Sequence, residues 1–166
     1  MTILDALDPQ LLGSHFPQES FRSWRVFLES AFGLPLSDPK LYEQCTGRTD
    51  SPGRAREVWC LVGRRGGKSL CAALIAIYLA IQPSVEGLTR TAAGERLVIP
   101  IIAVDRKQAR VIYRYILGLL RSSPMLASMI QNETAECVSL STNVDIEILT
   151  CSNKQTRGYT AVGHSG

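Results

Sequence analysis

The sequence predicts an α/β fold with a parallel sheet, and two observations lead to that prediction. Short runs of apolar and β-branched residues alternate along the chain with longer segments whose apolar residues recur at helical spacing. Such alternation is typical of parallel strands joined by right-handed crossovers. At 166 residues, of which 45% are hydrophobic and 20% charged, the chain is long enough for this core and has an ordinary globular composition.

Residues 1–55 predict a helical N-terminal lead-in to a core over residues 56–166. An amphipathic pattern predicts one helix over residues 19–32, and the glycine at position 33 is a typical helix end. The run Ser37-Asp38-Pro39 predicts the start of a second, short helix that Gly47 ends. A turn-rich, basic stretch follows and marks the boundary between the lead-in and the core.

A strand, a glycine-rich loop and a helix follow one another at the start of the core. Residues 57–62 are aromatic and β-branched and predict a buried strand, whereas residues 69–82 lack Gly and Pro and predict a helix that Pro83 stops. Between them stands Gly63-Arg64-Arg65-Gly66-Gly67-Lys68-Ser69. This order of elements is the one that a phosphate-binding loop requires.

The residue types of this loop suit a nucleoside triphosphate with Mg²⁺. Glycines let the backbone curl so that successive N–H groups point inward, and the following helix adds the positive end of its dipole. Lys68 is the candidate cation for the β- and γ-phosphates, and the hydroxyl of Ser69 is the candidate Mg²⁺ ligand. ATP and Mg²⁺ are therefore the expected cofactors.

The loop departs from the usual pattern G-x-x-x-x-G-K-[ST]. The first glycine of that pattern would fall at Val62, and Gly63 lies one position later, where it could form the tight turn instead. Arg64 and Arg65 place two guanidinium groups in a loop whose plausible guest is polyanionic. The alternative is a glycine-rich turn before a helix that binds no ligand.

Three further strands and two further helices are predicted downstream. They are a strand over 96–104, helices over 106–121 and 124–131, and strands over 135–140 and 144–150. Pro100 removes a ladder donor from the first of these strands and predicts a bulge or a late strand start. The linker over 141–143 predicts a hairpin or meander.

Hydrolysis also needs a carboxylate at the end of a second buried strand. Asp105 is the candidate, although its position before a basic helix favours a role as helix N-cap. Asp145 and Glu147 share one face of a strand and are interpreted as solvated rather than catalytic. The chain is therefore expected to bind ATP and to turn it over poorly.

The remaining composition indicates an intracellular protein. The five cysteines are an odd number without C-x-x-C spacing, which predicts reduced thiols rather than a disulfide framework or zinc site. The N-terminus has no signal-peptide pattern, and the longest apolar run, residues 70–81, falls short of the ~20 residues that a membrane span needs. The net charge of +3 permits an anionic partner without requiring one.

Four parts of the chain resemble the large terminase subunits of tailed bacteriophages, the ATP-driven motors that push DNA into capsids. They are WCLVGRRGGKS over 59–69, FRSWRVFL over 21–28 with FGLP after it, IAVDRKQA over 102–109 and RGYT over 157–160. Loops of this family often lack the first glycine, so the departure at Val62 agrees with the resemblance.

The resemblance implies a helicase- or RecA-like P-loop ATPase core that is incomplete at its C-terminus. The acidic motif, coupling motif and nuclease domain of the family would lie beyond Gly166. The implied partners are double-stranded DNA, the portal and procapsid, the small terminase subunit and further copies of the chain. The implied location is the host cytoplasm, away from membranes.

Matched to the family's motif, Lys68 would contact phosphates, Ser69 would help to hold Mg²⁺, and Arg64 would stabilise charge in the transition state. Arg65 has no secure counterpart and is either a phosphate contact or structural. Gln18 or an aromatic such as Phe16, in the segment that precedes the phosphate loop, is a candidate adenine contact. The helix over 19–32 is otherwise interpreted as a packing helix. Alternative readings are a helicase, a small-molecule kinase, or a fragment of a split phage gene that at most binds nucleotide.

Overall fold

A computed structural model gives the fold of the chain in two compact units, Met1–Gly66 and Gly67–Gly166. The boundary between residues 55 and 56, which separates the lead-in from the core in the sequence, stays a prediction. The residues that the structure describes are 1–50, 53–82, 92, 94–103 and 105–150. Within these ranges, no helix is long and apolar enough to cross a membrane.

The first unit is helical, as predicted. Two 3-10 turns, Asp5–Leu7 and Gly13–His15, precede helix α1, Gln18–Ala31. Gly33 ends α1 with a φ of +67°, a left-handed conformation that favours glycine. The N–H of Leu34 then donates to the carbonyl of Glu29 at 2.7 Å, so the chain reverses at the predicted glycine.

Helix α2, Pro39–Thr46, has the predicted caps at both ends. The Asp38 side chain accepts a hydrogen bond from the N–H of Leu41 at 3.0 Å. Pro39 occupies the first turn, where its missing N–H costs nothing. Gly47 closes the helix in the left-handed conformation, at φ +70°.

The predicted strand over residues 57–62 is not present. This segment has irregular backbone and forms no ladder with any described residue of its unit. Trp59 is 92% exposed, and Leu61 and Cys60 are also exposed rather than buried. Apolar and β-branched side chains fit a pleated, half-buried surface, but they do not by themselves supply the neighbouring strand that a ladder needs.

The second unit contains a mixed four-stranded sheet. Its strands are β1, Leu97–Ala103; β2, Ile130–Glu133; β3, Cys137–Leu140; and β4, Val144–Thr150. Their order is β1-β4-β3-β2. Strands β1 and β4 are parallel, while β4 with β3 and β3 with β2 are antiparallel. The prediction of parallel strands is therefore right for one pair of the described sheet, and the α/β class is confirmed.

Pro100 is accommodated without the predicted bulge or late start. Strand β1 pairs with β4 in continuous register, and Pro100 lies opposite Glu147. Because β1 is at the edge of the described sheet, the absent N–H of a proline is tolerated there. Val104, the last residue of the predicted strand, lies outside the described residues.

Two long helices pack on the sheet of the second unit. Helix α3, Lys68–Ile81, and helix α4, Arg106–Ser122, contact each other, and both contact β1 and β4. Helical spacing predicts an inward face of α4, and four of its five residues are buried, whereas Ile112 is half-buried and lines a pocket. The buried four are Ala109, Tyr113, Ile116 and Leu120. The hydroxyl of Tyr113 donates to the carbonyl of Thr134 at 2.9 Å. Burial is also the main reason that the pKa of Tyr113 is raised.

The short helix predicted over 124–131 ends early. Helix α5, Pro124–Ala127, is followed by β2, in which Ile130 pairs with Leu140 of β3. Because Ile130 has a cross-strand partner in Leu140, this segment forms a strand and does not continue the helix. The predicted hairpin between β3 and β4 is confirmed, with Asn143 in its turn at φ +63°.

Candidate nucleotide-binding site

Residues Gly63 to Gly66 of the first unit form a tight turn. The N–H of Gly66 donates to the carbonyl of Gly63 at 3.2 Å, and Arg64 and Arg65 are exposed at the corner. Arg65 has a φ of +61°, which is unfavourable for a side chain with a Cβ. A Cβ on Gly66 would lie 2.6 Å from Cγ1 of Val62, whereas a Cβ on Gly63 would have no atom of the described residues within 4 Å.

The predicted role of Gly63 in this turn therefore needs refinement. Gly63 accepts the closing hydrogen bond, but its conformation does not require glycine. Glycine is needed at Gly66, because an added Cβ there would be too close to the Val62 side chain. Val62 occupies the position of the first glycine in the usual pattern. The left-handed position falls at Arg65.

Trp24 of α1 forms a hydrogen bond to this turn that sequence analysis missed. Its indole Nε1 donates to the carbonyl oxygen of Gly66 at 2.7 Å. The Trp24 ring also meets Phe27 edge to face, with centroids 5.3 Å apart. In the sequence, Trp24 is one of several apolar residues at helical spacing, and this pattern gives no sign that its indole N–H forms a hydrogen bond.

The second unit begins with the other half of the loop. Gly67 is the N-cap of α3 and has a φ of +78°, Lys68 is the exposed first helical residue, and Ser69 is half-buried. Among the residues that the structure describes, no side chain caps this helix N-terminus. Its first N–H groups have no intrahelical partners, and a helix N-terminus favours an anion.

An open pocket of about 650 Å³ lies beside this helix N-terminus within the second unit. Its lining combines the start of α3, the carboxyl end of β1 and the first turns of α4. The lining residues are Lys68, Ser69, Ala72, Ile102, Ala103, Gln108, Val111 and Ile112. The carboxyl end of a parallel strand is where open α/β sheets bind their ligands.

Asp105 is the N-cap of α4, which confirms the favoured interpretation of this residue. Its carboxylate accepts a hydrogen bond from the N–H of Gln108 at 2.8 Å and is exposed. Among the described residues, no group of three or more His, Cys, Asp or Glu side chains could hold a metal ion.

Three comparisons with known proteins bear on this geometry. No protein-family model matches the chain, and no curated protein matches it. Among solved structures, the chain is similar to the crystal structure of the HK97 bacteriophage large terminase, with a TM-score of 0.50 and 19% sequence identity. The similarity covers 82% of this chain. The fold is terminase-like.

The chain spans 29% of the length of that terminase. At 19% identity the similarity establishes the fold and leaves activity to be argued from the residues. The terminase-like fold agrees with the resemblance found in the sequence. In the second unit, Lys68 and Ser69 both line the pocket at the end of β1.

Asp145 and Glu147, which the sequence analysis interpreted as solvated rather than catalytic, both interact with other groups in the structure. Asp145 lies 2.7 Å from Nε of Arg96, whose guanidinium also donates to the carbonyl of Leu140 at 2.6 Å. Glu147 likewise has an interaction partner. Burial, with Asp145 and Glu147 adding to it, raises the pKa of Cys137 to about 11, so this thiol stays protonated at neutral pH.

The two candidate adenine contacts have different outcomes. Phe16 is 4% exposed and packs on Phe21, with ring centroids 4.7 Å apart, so it belongs to the core of its unit. Gln18 begins α1, but its side chain lies outside the described residues, as do residues 157–160. The four described cysteines, Cys45, Cys60, Cys71 and Cys137, are free thiols, and Cys151 also lies outside.

Proposed function

We propose that the chain is the nucleotide-binding part of the ATP-driven motor of a phage large terminase subunit. The observation that carries this proposal is the joint position of Lys68 and Ser69 at an uncapped helix N-terminus, on a pocket at the carboxyl end of β1. A terminase-like fold supports the same assignment. ATP with Mg²⁺ is the proposed ligand.

The residues present suit a triphosphate. The unpartnered N–H groups of α3 would donate to phosphate oxygens, and Lys68 would place its ammonium group on the β- and γ-phosphates. The hydroxyl of Ser69 would hold Mg²⁺, which when bound offsets phosphate charge. Arg64, exposed on the turn, would stabilise charge that develops during phosphoryl transfer, whereas Arg65, held in the left-handed conformation at the corner, would contact phosphate or serve only the turn.

The motor would act on double-stranded DNA. Its DNA contacts would be mainly to phosphates and would weaken as salt is raised, because each contact releases counterions. The portal and procapsid, the small terminase subunit and further copies of the chain are the proposed partners of the whole motor, working in the host cytoplasm. A helicase would share duplex-stimulated turnover, whereas a small-molecule kinase would transfer phosphate to an acceptor instead.

Calorimetric titration with MgATP tests the ligand assignment. Lys68→Ala is expected to weaken ATP binding at least about tenfold, because hydrogen bonds to charged groups contribute about 1.5–3 kcal/mol. Lys40→Ala is the matched control, since Lys40 is an exposed lysine of α2. Equal affinities of the wild-type chain and Lys68→Ala for MgATP would show that Lys68 does not contact the nucleotide, and would contradict the assignment of this loop as a phosphate-binding loop.

A further inference from the structure

Trp24 is placed to orient the peptide group that joins Gly66 to Gly67. The indole N–H is a donor only, and it donates to the carbonyl oxygen of Gly66 at 2.7 Å. In a planar trans peptide the carbonyl and the following N–H point in opposite directions. The N–H of Gly67 is thereby directed away from Trp24.

The peptide between Gly66 and Gly67 is a point of backbone freedom in the proposed phosphate loop. Arg65, one residue earlier, has a positive φ, and Gly66 has no side chain of its own to pack. Arg64, Arg65 and Gly66 are all exposed. Two adjacent glycines leave the peptide between them free to rotate, and in a flipped peptide the Gly66 oxygen would take the place of the Gly67 N–H.

We propose that Trp24 is a positioning residue for phosphate binding. By holding the Gly66 carbonyl, it keeps the Gly67 N–H available to a phosphate oxygen and keeps a carbonyl dipole from facing the anion. This inference rests on the proposed function, since it assigns Trp24 to the same loop. The edge-to-face contact with Phe27 fixes the ring that makes the hydrogen bond.

The test removes the donor and keeps an aromatic ring. Trp24→Phe is expected to bind MgATP about fivefold more weakly than the wild-type chain, which corresponds to about 1 kcal/mol. Magnesium tripolyphosphate should show the same loss, because the contact acts on phosphates and not on the base. Trp59→Phe is the matched control, since Trp59 is 92% exposed, and its affinity should equal that of the wild-type chain.

The control variant also gives a spectroscopic test. The chain has two tryptophans, so Trp59→Phe leaves Trp24 as the single indole fluorophore. The emission of Trp24 should shift when magnesium tripolyphosphate saturates the loop. The phosphate would accept a hydrogen bond from the N–H of the same peptide group whose carbonyl accepts from the indole. A role in helix packing alone would lower the melting temperature of Trp24→Phe and leave this emission unchanged.

The outcomes separate this inference from the proposed function. If the wild-type chain binds MgATP, Lys68→Ala loses affinity and folded Trp24→Phe does not, the inference is overturned and the proposed function stands. If the wild-type chain does not bind MgATP, both are overturned. If Trp24→Phe does not fold by circular dichroism, the emission of Trp59→Phe decides, and an unchanged spectrum at saturation overturns the inference.

Discussion

Glu29 is a buried carboxylate that fixes the chain segment after α1. Its side chain is 1% exposed and accepts hydrogen bonds from the N–H of Ser37 at 2.7 Å and from the Ser37 hydroxyl at 2.9 Å. Nε of Arg25, one turn earlier on the helix, lies 3.3 Å from it. A buried charge is tolerated only when it is paired and hydrogen-bonded, and these three contacts meet that requirement.

Replacing Glu29 tests this arrangement. Glu29→Ala should lower the free energy of unfolding by about 1–3 kcal/mol, because it leaves a polar N–H without its acceptor. Glu19→Ala is the matched control, since Glu19 is exposed on the same helix. Urea denaturation of both variants provides the measurement, and similar midpoints would contradict the assigned role.

Roles of this kind could not be predicted from the sequence. Glu29 and Trp24 each make a polar contact with a residue outside α1, and the pattern of α1 indicates only which of its residues are apolar. Lys68 and Ser69 were predictable as site candidates because their chemistry and their position before a helix are both local. The strain at Arg65 was not, since it depends on the path of the whole turn.

At the scale of elements, local chemistry predicted helix ends better than strands. Helix α2 begins and ends where Asp38, Pro39 and Gly47 predicted, because a cap is formed by residues within one turn of the helix. The segment over 57–62 has strand-like residues but no described ladder partner in its unit. Strand β2 likewise begins where a helix was expected, because Ile130 finds Leu140 across the sheet.

The cap of α2 predicts a dependence of stability on pH. A hydrogen bond from the Leu41 N–H, followed by the ion pair with Arg22, holds the pKa of Asp38 below its ordinary value of 3.8. A carboxyl group whose pKa is lowered by folding contributes stability above its unfolded pKa. That contribution is lost as the pH falls through the folded pKa.

Asp38→Asn isolates the charge, because asparagine caps a helix about as well as aspartate. Asp38→Asn should unfold at lower urea than the wild-type chain near neutral pH, and the difference should shrink as the pH falls below 3.8. Asp50→Asn, at an exposed carboxyl group of the same unit, is the matched control and should unfold at the same urea concentration as the wild-type chain near neutral pH. A difference for Asp38→Asn that stays constant with pH would show that the charge is unimportant.

At the scale of the whole molecule, the α/β class followed from periodicity, and the terminase resemblance followed from short motifs. The sheet topology could not be predicted in this way, because a mixed sheet and a parallel sheet can have the same order of strands and helices along the chain. The structure places β1 and β4 side by side although α4, α5, β2 and β3 separate them in sequence. Which strands pair is decided by contacts over such distances, and no local pattern encodes them.

The whole chain is expected to bind ATP and to release phosphate slowly. The sequence contains no Asp-Glu pair after an apolar run, and Asp105, which follows β1 in the sequence, already caps α4. Asp105→Ala should therefore cost about 1 kcal/mol of stability through the lost cap. Asp105→Asn should cost little, since asparagine keeps the cap, and neither variant should change the slow turnover.

Phosphate release and urea denaturation, measured on the wild-type chain and both variants, test these expectations together. A metal-binding role would make Asp105→Asn and Asp105→Ala equally inactive, because both remove the charge that a hard cation requires. A capping role separates the two variants in stability and leaves them alike in turnover. Turnover at the rate of a working motor that both substitutions abolish would place Asp105 in the catalytic site and reverse the assignment made from its hydrogen bond to Gln108.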